Sequence, residues 1–245
     1  MGASTKVRTM SKAFPNESRE YREARDRLLE EEQALVDTTK AVAELRRKLP
    51  RGGELKEDYV LQWAKEEKLG ERVRFSELFG DKLTLILYSF MFGPNWDKPC
   101  LSCTSLMDGF DRAWYSVTRD AAFVAIAKAQ PERINAWAKH RGWSKIDLVS
   151  GYQSSFQADY QCQGEDDDAQ RANMLVFQKR DGKIYHFWAC ELPTNFIDTV
   201  WAYWNLMDFT PEGRPERPVP PQDFQSTSAA KYMTEEDRQA LALTS

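Results

Sequence analysis

Two cysteines separated by two residues, Cys100 and Cys103, are the residues whose type and spacing most clearly indicate chemistry. They follow the apolar run Leu83–Met91 and precede a predicted helix over 105–117, so the helix should begin near the first cysteine. Unpaired N–H groups at a helix N-terminus favour a thiolate, which makes Cys100 the expected nucleophile. A second thiol one helical turn later can resolve the mixed disulfide, and that role falls to Cys103.

A zinc site is the alternative use of the same pair. Cys190 lies four residues after His186, so a site of Cys100, Cys103, His186 and Cys190 is conceivable. The paired ligand spacing of common structural zinc sites is absent, because neither Cys162 nor Cys190 belongs to a second such motif. We therefore favour a redox pair, expect no metal or cofactor, and predict that Cys162 and Cys190 are buried or inert thiols.

A peroxidase of the conventional peroxiredoxin type is disfavoured by the residues before the pair. Such sites place Thr or Ser three residues before the reactive cysteine and Pro four residues before that. The corresponding positions are Asp97 and Gly93 for Cys100, and Cys100 and Trp96 for Cys103. Neither cysteine fits the pattern.

The acidic run Glu165–Asp168 could in principle bind a cation. Its spacing is not that of a calcium-binding loop, so we interpret it as a solvated acidic loop.

Composition narrows the classes of partner and compartment. The 245 residues contain 34 Lys and Arg against 38 Asp and Glu, a balance that argues against a nucleic-acid binder. Four cysteines are too few for a disulfide scaffold, and the longest apolar stretch, Leu83–Phe92, is too short to span a membrane. The polar segment Met1–Phe14 lacks the apolar core of a secretory signal, so we expect a cytoplasmic protein without a membrane partner.

The order of predicted elements is that of a thioredoxin-like α/β sandwich, with three layers. A nearly continuous apolar strand precedes the cysteine pair, and Asp181-Gly182 is a strong hairpin signal. The predicted strands cover 59–63, 83–91, 121–127, 174–177 and 183–188, and the predicted helical segments cover 74–79, 105–117, 132–140 and 196–206.

A long helix is predicted over 16–49. Leu28, Leu35, Val42 and Leu49 recur every seven residues. This row is compatible with a homodimer formed through the N-terminal helix, or with an amphipathic helix packed on its own domain, and both interpretations stay open.

Three parts of the chain follow from these patterns. Residues 1–53 form an N-terminal helical extension, and 54–210 form the thioredoxin-like domain. Residues 211–245 form a proline-rich tail, whose short helix is predicted to end at Leu243.

Several segments together resemble a bacterial family catalogued as domain of unknown function 899. Leu83–Gly93 followed by the cysteine pair is similar to its signature, and so are Pro131–Trp143, Ser150–Tyr160 and Met207–Arg214. The likeness extends over about residues 19–214. That family is described as thioredoxin-like and as predicted dithiol–disulfide oxidoreductases, so the resemblance implies this fold and an exchange reaction with a disulfide or thiol substrate.

Two positions depart from the patterns that the resemblance implies. Ser89 stands where the family often has His, and no Pro precedes Met174, where thioredoxin-fold enzymes usually carry a cis-Pro. A second interpretation is therefore a redox-sensing or non-catalytic binding module of the same fold. The identity of the substrate and of the reductant stays open.

Overall fold

The computed structural model describes residues 14–191 and 197–214. The chain divides into two units, one ending at Pro50 and the other beginning at Arg51. The predicted helix near the C-terminus and most of the proline-rich tail lie outside the described residues, so both stay predictions.

Helix α1 (Arg19–Arg47) is the long N-terminal helix that the sequence predicts. It begins after Ser18, whose hydroxyl accepts a hydrogen bond from the N–H of Tyr21 at 3.1 Å and so caps the first turn. None of its residues is buried. The side chains of its seven-residue row are between 38 and 67% exposed: Leu28, Leu35 and Val42, with Leu49 just beyond the helix.

A seven-stranded sheet is the centre of the second unit, with strand order β2-β1-β5-β4-β3-β6-β7. The three central strands β3, β4 and β5 are parallel, and the pairs at both sides of them are antiparallel. The strands are β1 (Val60–Trp63), β2 (Arg72–Arg74), β3 (Thr84–Ser89), β4 (Ala122–Ala127), β5 (Asp147–Ser150), β6 (Asn173–Arg180) and β7 (Lys183–Ala189).

Helices cover both faces of the sheet, because its strands are apolar on both sides. Ile86 and Tyr88 of β3 face α2 and α3, whereas Leu85 and Leu87 face the opposite layer, a 3-10 turn (Phe75–Phe79) and α4. The helices of this unit are α2 (Leu101–Val117), α3 (Pro131–Arg141), α4 (Phe156–Asp159), α5 (Ile197–Val200) and α6 (Ala202–Met207). Parallel β3-α2-β4 followed by the β6–β7 hairpin beside β3 makes this a thioredoxin-like α/β sandwich, as predicted.

The β6–β7 hairpin turns at Asp181 and Gly182, as the sequence predicts. Both residues have positive φ, 53° and 74°, which is the backbone that a two-residue turn between twisted strands requires. Arg180 and Lys183 close the ladder at this end.

The last predicted helix, 196–206, is wrong as a single element. Trp201 has extended backbone between α5 and α6, and its indole is buried with its N–H donating to Ser105 Oγ at 3.0 Å. Insertion of this side chain against α2 interrupts the helix. Strand β5 and helix α4 were not predicted either.

The segment that leads into the sheet pairs with the edge strand β7. The N–H of Leu55 donates to the carbonyl of Ile184 at 2.8 Å, and the N–H of His186 donates to the carbonyl of Gly53 at 2.9 Å. Gly52 is needed here, since a Cβ would lie 2.0 Å from the His186 oxygen. Within the described ranges, no helix is long and apolar enough to cross a membrane.

Candidate redox site

Cys100 is the N-cap residue of α2. Its N–H donates to the carbonyl of Met91 at 2.9 Å, so the residue is fixed just beyond the end of β3. Its own carbonyl accepts hydrogen bonds from Thr104, from the N–H at 2.9 Å and from the hydroxyl at 3.1 Å. The helix therefore begins at Leu101, four residues earlier than predicted, and Cys103 lies in its first turn.

The Cys100 thiol ionises readily. A hydrogen bond from the Cys103 side chain is the main cause that lowers its pKa to about 6, and the N–H groups of Ser102 and Cys103 contribute in the same direction. Partial burial opposes this shift. Cys100 is consequently a thiolate at neutral pH, which is the reactive form.

Cys103 has the opposite character. Its side chain is 2% exposed. Its pKa is well above the ordinary range because its interaction with Cys100 and its burial both favour the protonated form. The nearby Tyr88 hydroxyl and Met91 N–H act in the opposite direction and partly offset this increase in pKa. The pair thus consists of an ionised, partly exposed thiol and a protonated, buried one.

Tyr88 is a site residue that the sequence analysis did not identify. It is fully buried, its ring packs edge-on against Phe110 at 5.2 Å, and burial is the main cause that raises its pKa well above normal. A tyrosine within an apolar strand resembles any other core aromatic residue. The alternation of Ile86, Tyr88 and Phe90 was the available signal, since it places Tyr88 on the face that packs against α2.

The loop before Cys100 is held from one side by Arg133 of α3. The guanidinium donates to the carbonyl of Pro94 at 2.6 Å and also to the carbonyl of Trp96. It lies over the ring of Phe92, 4.9 Å from the centroid. One cation therefore fixes two loop carbonyls.

Asp168 holds the same loop from the other side. Its carboxylate accepts the Asn95 N–H at 3.0 Å and the Asn95 side-chain amide at 2.6 Å, and its carbonyl accepts the Trp96 indole N–H at 3.0 Å. Gly93 allows this approach, because a Cβ there would lie 2.6 Å from Asp168 Oδ1.

The acidic run is therefore more than the solvated loop predicted from its charge. Besides Asp168, its residue Asp167 forms an ion pair at 3.2 Å with Lys128, whose side chain is only 3% exposed. Lys128 also donates to the carbonyl of Ser154 at 2.6 Å. The acidic run therefore contacts both the loop before Cys100 and Lys128, the residue that follows β4.

A cavity of about 850 Å³ opens beside the cysteine pair. Arg171, Ala172 and Asn173 form part of its wall, at the position where thioredoxin-fold enzymes usually have a proline. The other lining residues are contributed by the segment before β1, the sheet, the first turns of α2, the α4 region and the end of β7; they include Lys56, Tyr88, Met91, Leu106, Asp159 and Glu191.

The sequence pattern of a family described as bacterial protein of unknown function (DUF899) matches residues 10–238. The chain belongs to this family. It matches no curated protein.

Solved structures similar to this DUF899 chain include a peroxidoxin, a peroxiredoxin and a thioredoxin peroxidase. Peroxidoxin BcpB from Mycobacterium tuberculosis is 17% identical, with a TM-score of 0.45 over 63% of this chain and 95% of its own. A cysteine-to-serine variant of peroxiredoxin Q from Xanthomonas campestris is 11% identical, with a TM-score of 0.44 over 63% and 96%. Thioredoxin peroxidase I from Plasmodium yoelii is 17% identical, with a TM-score of 0.45 over 60% and 81%.

The remaining cysteines of this DUF899 chain differ from each other. Cys162 is buried, as predicted, on the sheet face opposite the pair, and burial raises its pKa to about 12. The fully buried Ser89 lies beside it, away from Cys103. Cys190, in contrast, is only partly buried and lines the cavity, so of the expected buried or inert thiol only the inertness stays a prediction for that residue.

The zinc alternative is not supported by the arrangement of its four residues. His186 and Cys190 line the cavity together with the cysteine pair. Even so, among residues 14–191 and 197–214 no three His, Cys, Asp or Glu side chains form a group that could hold a metal ion. Burial lowers the pKa of His186.

Proposed function

We propose that this protein is a thiol–disulfide oxidoreductase in which Cys100 is the nucleophile and Cys103 the resolving thiol. The observation that carries the proposal is the position of the pair, with Cys100 at the N-cap of α2, Cys103 in the first turn and both beside the cavity. At that position the pKa of Cys100 is lowered to about 6, which favours a thiolate. A buried thiol without a route to substrate would be inert, but Cys100 is partly exposed.

The reaction has two exchange steps. The Cys100 thiolate attacks one sulfur of a substrate disulfide, forming a mixed disulfide and releasing one substrate thiolate. Cys103 then attacks the Cys100 sulfur, releasing the second substrate thiolate and leaving a Cys100–Cys103 disulfide. The proton of Cys103 passes to a departing thiolate, and an external dithiol reduces the internal disulfide to close the cycle.

Tyr88 assists the second step. As Cys103 loses its proton, negative charge develops on a sulfur whose anionic form the nearby Tyr88 hydroxyl and Met91 N–H favour. Preorganised donors aimed at a developing charge in a buried site lower the barrier to its formation. We place the chemistry in the cytoplasm, whose reductants keep such a pair in the dithiol form.

The direct test is trapping with a small disulfide, hydroxyethyl disulfide, in the presence and absence of dithiothreitol. Wild type should form the internal disulfide and turn over when the dithiol is present. Cys103→Ser should stop at the mixed disulfide, visible by mass spectrometry, and Cys100→Ser should form neither product.

Cys162→Ser is the matched control for the loss of a thiol. Its sulfur is buried on the opposite face, so turnover should stay at the wild-type level. Turnover that persists in Cys100→Ser would contradict the proposal.

A redox-sensing module without turnover is the second candidate, and the absence of a proline before Met174 favours it. It predicts that Cys100 and Cys103 form the internal disulfide once but that external dithiols reduce this disulfide back to the two thiols too slowly for a cycle. Repeated turnover with dithiothreitol would exclude it.

A further inference from the structure

Two side chains of opposite charge line the cavity at one end of the β6–β7 hairpin. Arg171 lies two residues before β6, and Glu191 lies two residues after β7. The ladder brings these positions to the same edge of the sheet, since the Cys190 N–H donates to the Met174 carbonyl at 3.1 Å. Both Arg171 and Glu191 line the cavity that contains the cysteine pair.

The other charged groups of this cavity already have partners. Lys56 forms an ion pair with Asp159 at 2.6 Å, and Glu54 forms one with Lys183 at 2.8 Å. No ion pair is seen for the exposed side chains of Arg171 and Glu191 within the described part of the chain. One cation and one anion therefore remain available to a ligand.

The cavity has the size and composition of a small-molecule site. Its volume of about 850 Å³ lies within the range of roughly 300–1,000 Å³ that such ligands occupy. Met91, Leu106 and Leu175 are among the apolar residues that line it, and Cys100 lines the same cavity. A nucleophile that lines a cavity of this size can react with a small disulfide that enters the cavity.

We propose that the substrate of Cys100 is the disulfide of an amino-acid-derived thiol, with Arg171 binding its carboxylate and Glu191 its ammonium group. Arginine can hold a carboxylate through two parallel hydrogen bonds, which fixes the orientation of the bound molecule. This inference rests on the proposed exchange reaction and specifies its substrate class. Each turnover breaks one substrate S–S bond, releases two amino-acid thiols and forms the Cys100–Cys103 disulfide, and an external dithiol then restores the pair.

Four disulfides with different end groups test the assignment. Cystine has both carboxylates and ammonium groups, dithiodipropionate only carboxylates, cystamine only ammonium groups, and hydroxyethyl disulfide neither. The measured quantity is the second-order rate constant for oxidation of the reduced Cys100–Cys103 pair in a single turnover, followed by alkylation and mass spectrometry. Rates are compared between variants for each probe, so the intrinsic reactivity of each disulfide cancels.

The variants predict a charge-specific pattern. Arg171→Gln should slow oxidation by cystine and dithiodipropionate about tenfold, the loss expected for a charge-assisted hydrogen bond, while hydroxyethyl disulfide is unaffected. Glu191→Gln should slow oxidation by cystine and cystamine by a similar factor. Two exposed residues distant from the cavity, Arg180→Gln and Glu67→Gln, are the charge-matched controls and should change none of the four rates.

Two contrary results have different meanings. If Arg171→Gln and Glu191→Gln leave all four rates unchanged, or slow all four equally, the substrate class is wrong while the exchange reaction stands. If no probe converts the pair to the Cys100–Cys103 disulfide in wild type, the proposed function itself is overturned and the substrate assignment falls with it.

Discussion

The hydroxyl of Tyr88 on β3 lies beside the sulfur of Cys103 in the first turn of α2, and their interaction raises the pKa of Tyr88 and lowers that of Cys103. Both side chains are buried, so this contact lies in a low-dielectric environment where polar interactions are strong. It connects β3, one of the three central strands of the sheet, to the resolving thiol. The two cysteines shift each other's pKa most, and they differ in their other neighbours: N–H groups of the helix turn for Cys100, and Tyr88 of the sheet for Cys103.

Replacement of Tyr88 by Phe should slow resolution of the mixed disulfide without slowing its formation. A hydrogen bond to a developing thiolate is worth about 1.5–3 kcal/mol, which corresponds to a decrease of at least tenfold in rate. With dithiobis(nitrobenzoate), the first thionitrobenzoate is released when Cys100 attacks and the second when Cys103 attacks. Tyr88→Phe should delay only the second release.

The matched control is Tyr115→Phe, an exposed residue of α2, the helix that contains Cys103. It removes a hydroxyl from α2 without touching the pair, so both releases should keep wild-type rates. An unchanged second release in Tyr88→Phe would show that the hydroxyl has no part in resolution.

Alkylation of Cys100 should follow its own ionisation. With a pKa of about 6, the thiol is mostly ionised at pH 7, and the rate with iodoacetamide should fall about tenfold between pH 7 and pH 5. Because Cys103 is the main donor, Cys103→Ala should move the midpoint of this profile toward that of an ordinary thiol. Cys103→Ser keeps a donor and should move it less; identical profiles for both variants would contradict this origin of the shift.

Arg133→Ala should loosen the loop that precedes Cys100. The guanidinium binds the carbonyls of Pro94 and Trp96, so amide hydrogen exchange over 95–97 should become faster. The rate of thiol–disulfide turnover should decrease. Lys139→Ala on the same helix removes only an exposed ion pair with Glu66 and serves as the control. Equal protection of the loop in both variants would contradict the role of Arg133.

The buried carboxylate of Asp111 should contribute strongly to stability. It accepts the N–H groups of Lys145 at 2.7 Å and Ile146 at 3.0 Å, and so connects α2 to the start of β5. Asp111→Ala leaves two amides without this acceptor and should lower the free energy of unfolding by about 2–4 kcal/mol in urea denaturation. Asp120→Ala, an exposed change after the same helix, should cost less than about 0.5 kcal/mol.

Self-association through α1 stays a prediction with a direct test. If the exposed row Leu28, Leu35 and Val42 pairs with a second copy, light scattering should give a dimer mass at micromolar concentration. Leu35→Glu should then reduce it to the monomer mass, whereas Thr38→Glu, outside the row, should not. A wild-type monomer would end this interpretation.

Periodicity predicts the elements whose burial is local and continuous. The apolar run of β3 and the cysteine spacing together place the candidate nucleophile at the start of a helix, and the Asp181-Gly182 turn places the hairpin. Strand β5 is not predicted because its four residues, Asp147–Ser150, do not alternate between apolar and polar side chains. Its existence depends on pairing with β4 and β1.

Contacts between residues distant in sequence explain why the last helix and the cavity were not predicted correctly. Nothing in the sequence near Trp201 indicates that its indole binds Ser105, about a hundred positions earlier, and that bond is what accompanies the break in the last helix. The cavity similarly combines Cys190 and Arg171 with Cys100 only after the hairpin has docked beside β3. Local spacing identifies the candidate nucleophile, but it cannot identify the distant residues that line the cavity with it.

The pairing of residues 53–55 with β7 has a consequence for the solubility of the folded chain. An open edge strand offers unpaired N–H and C=O groups to a strand of another molecule, which is a route to aggregation. Gly53 and Leu55 occupy part of that edge, and Gly52 permits their close approach. A shortened chain that starts at Arg51 retains this protection, whereas one that starts at Lys56 exposes β7 to intermolecular strand pairing.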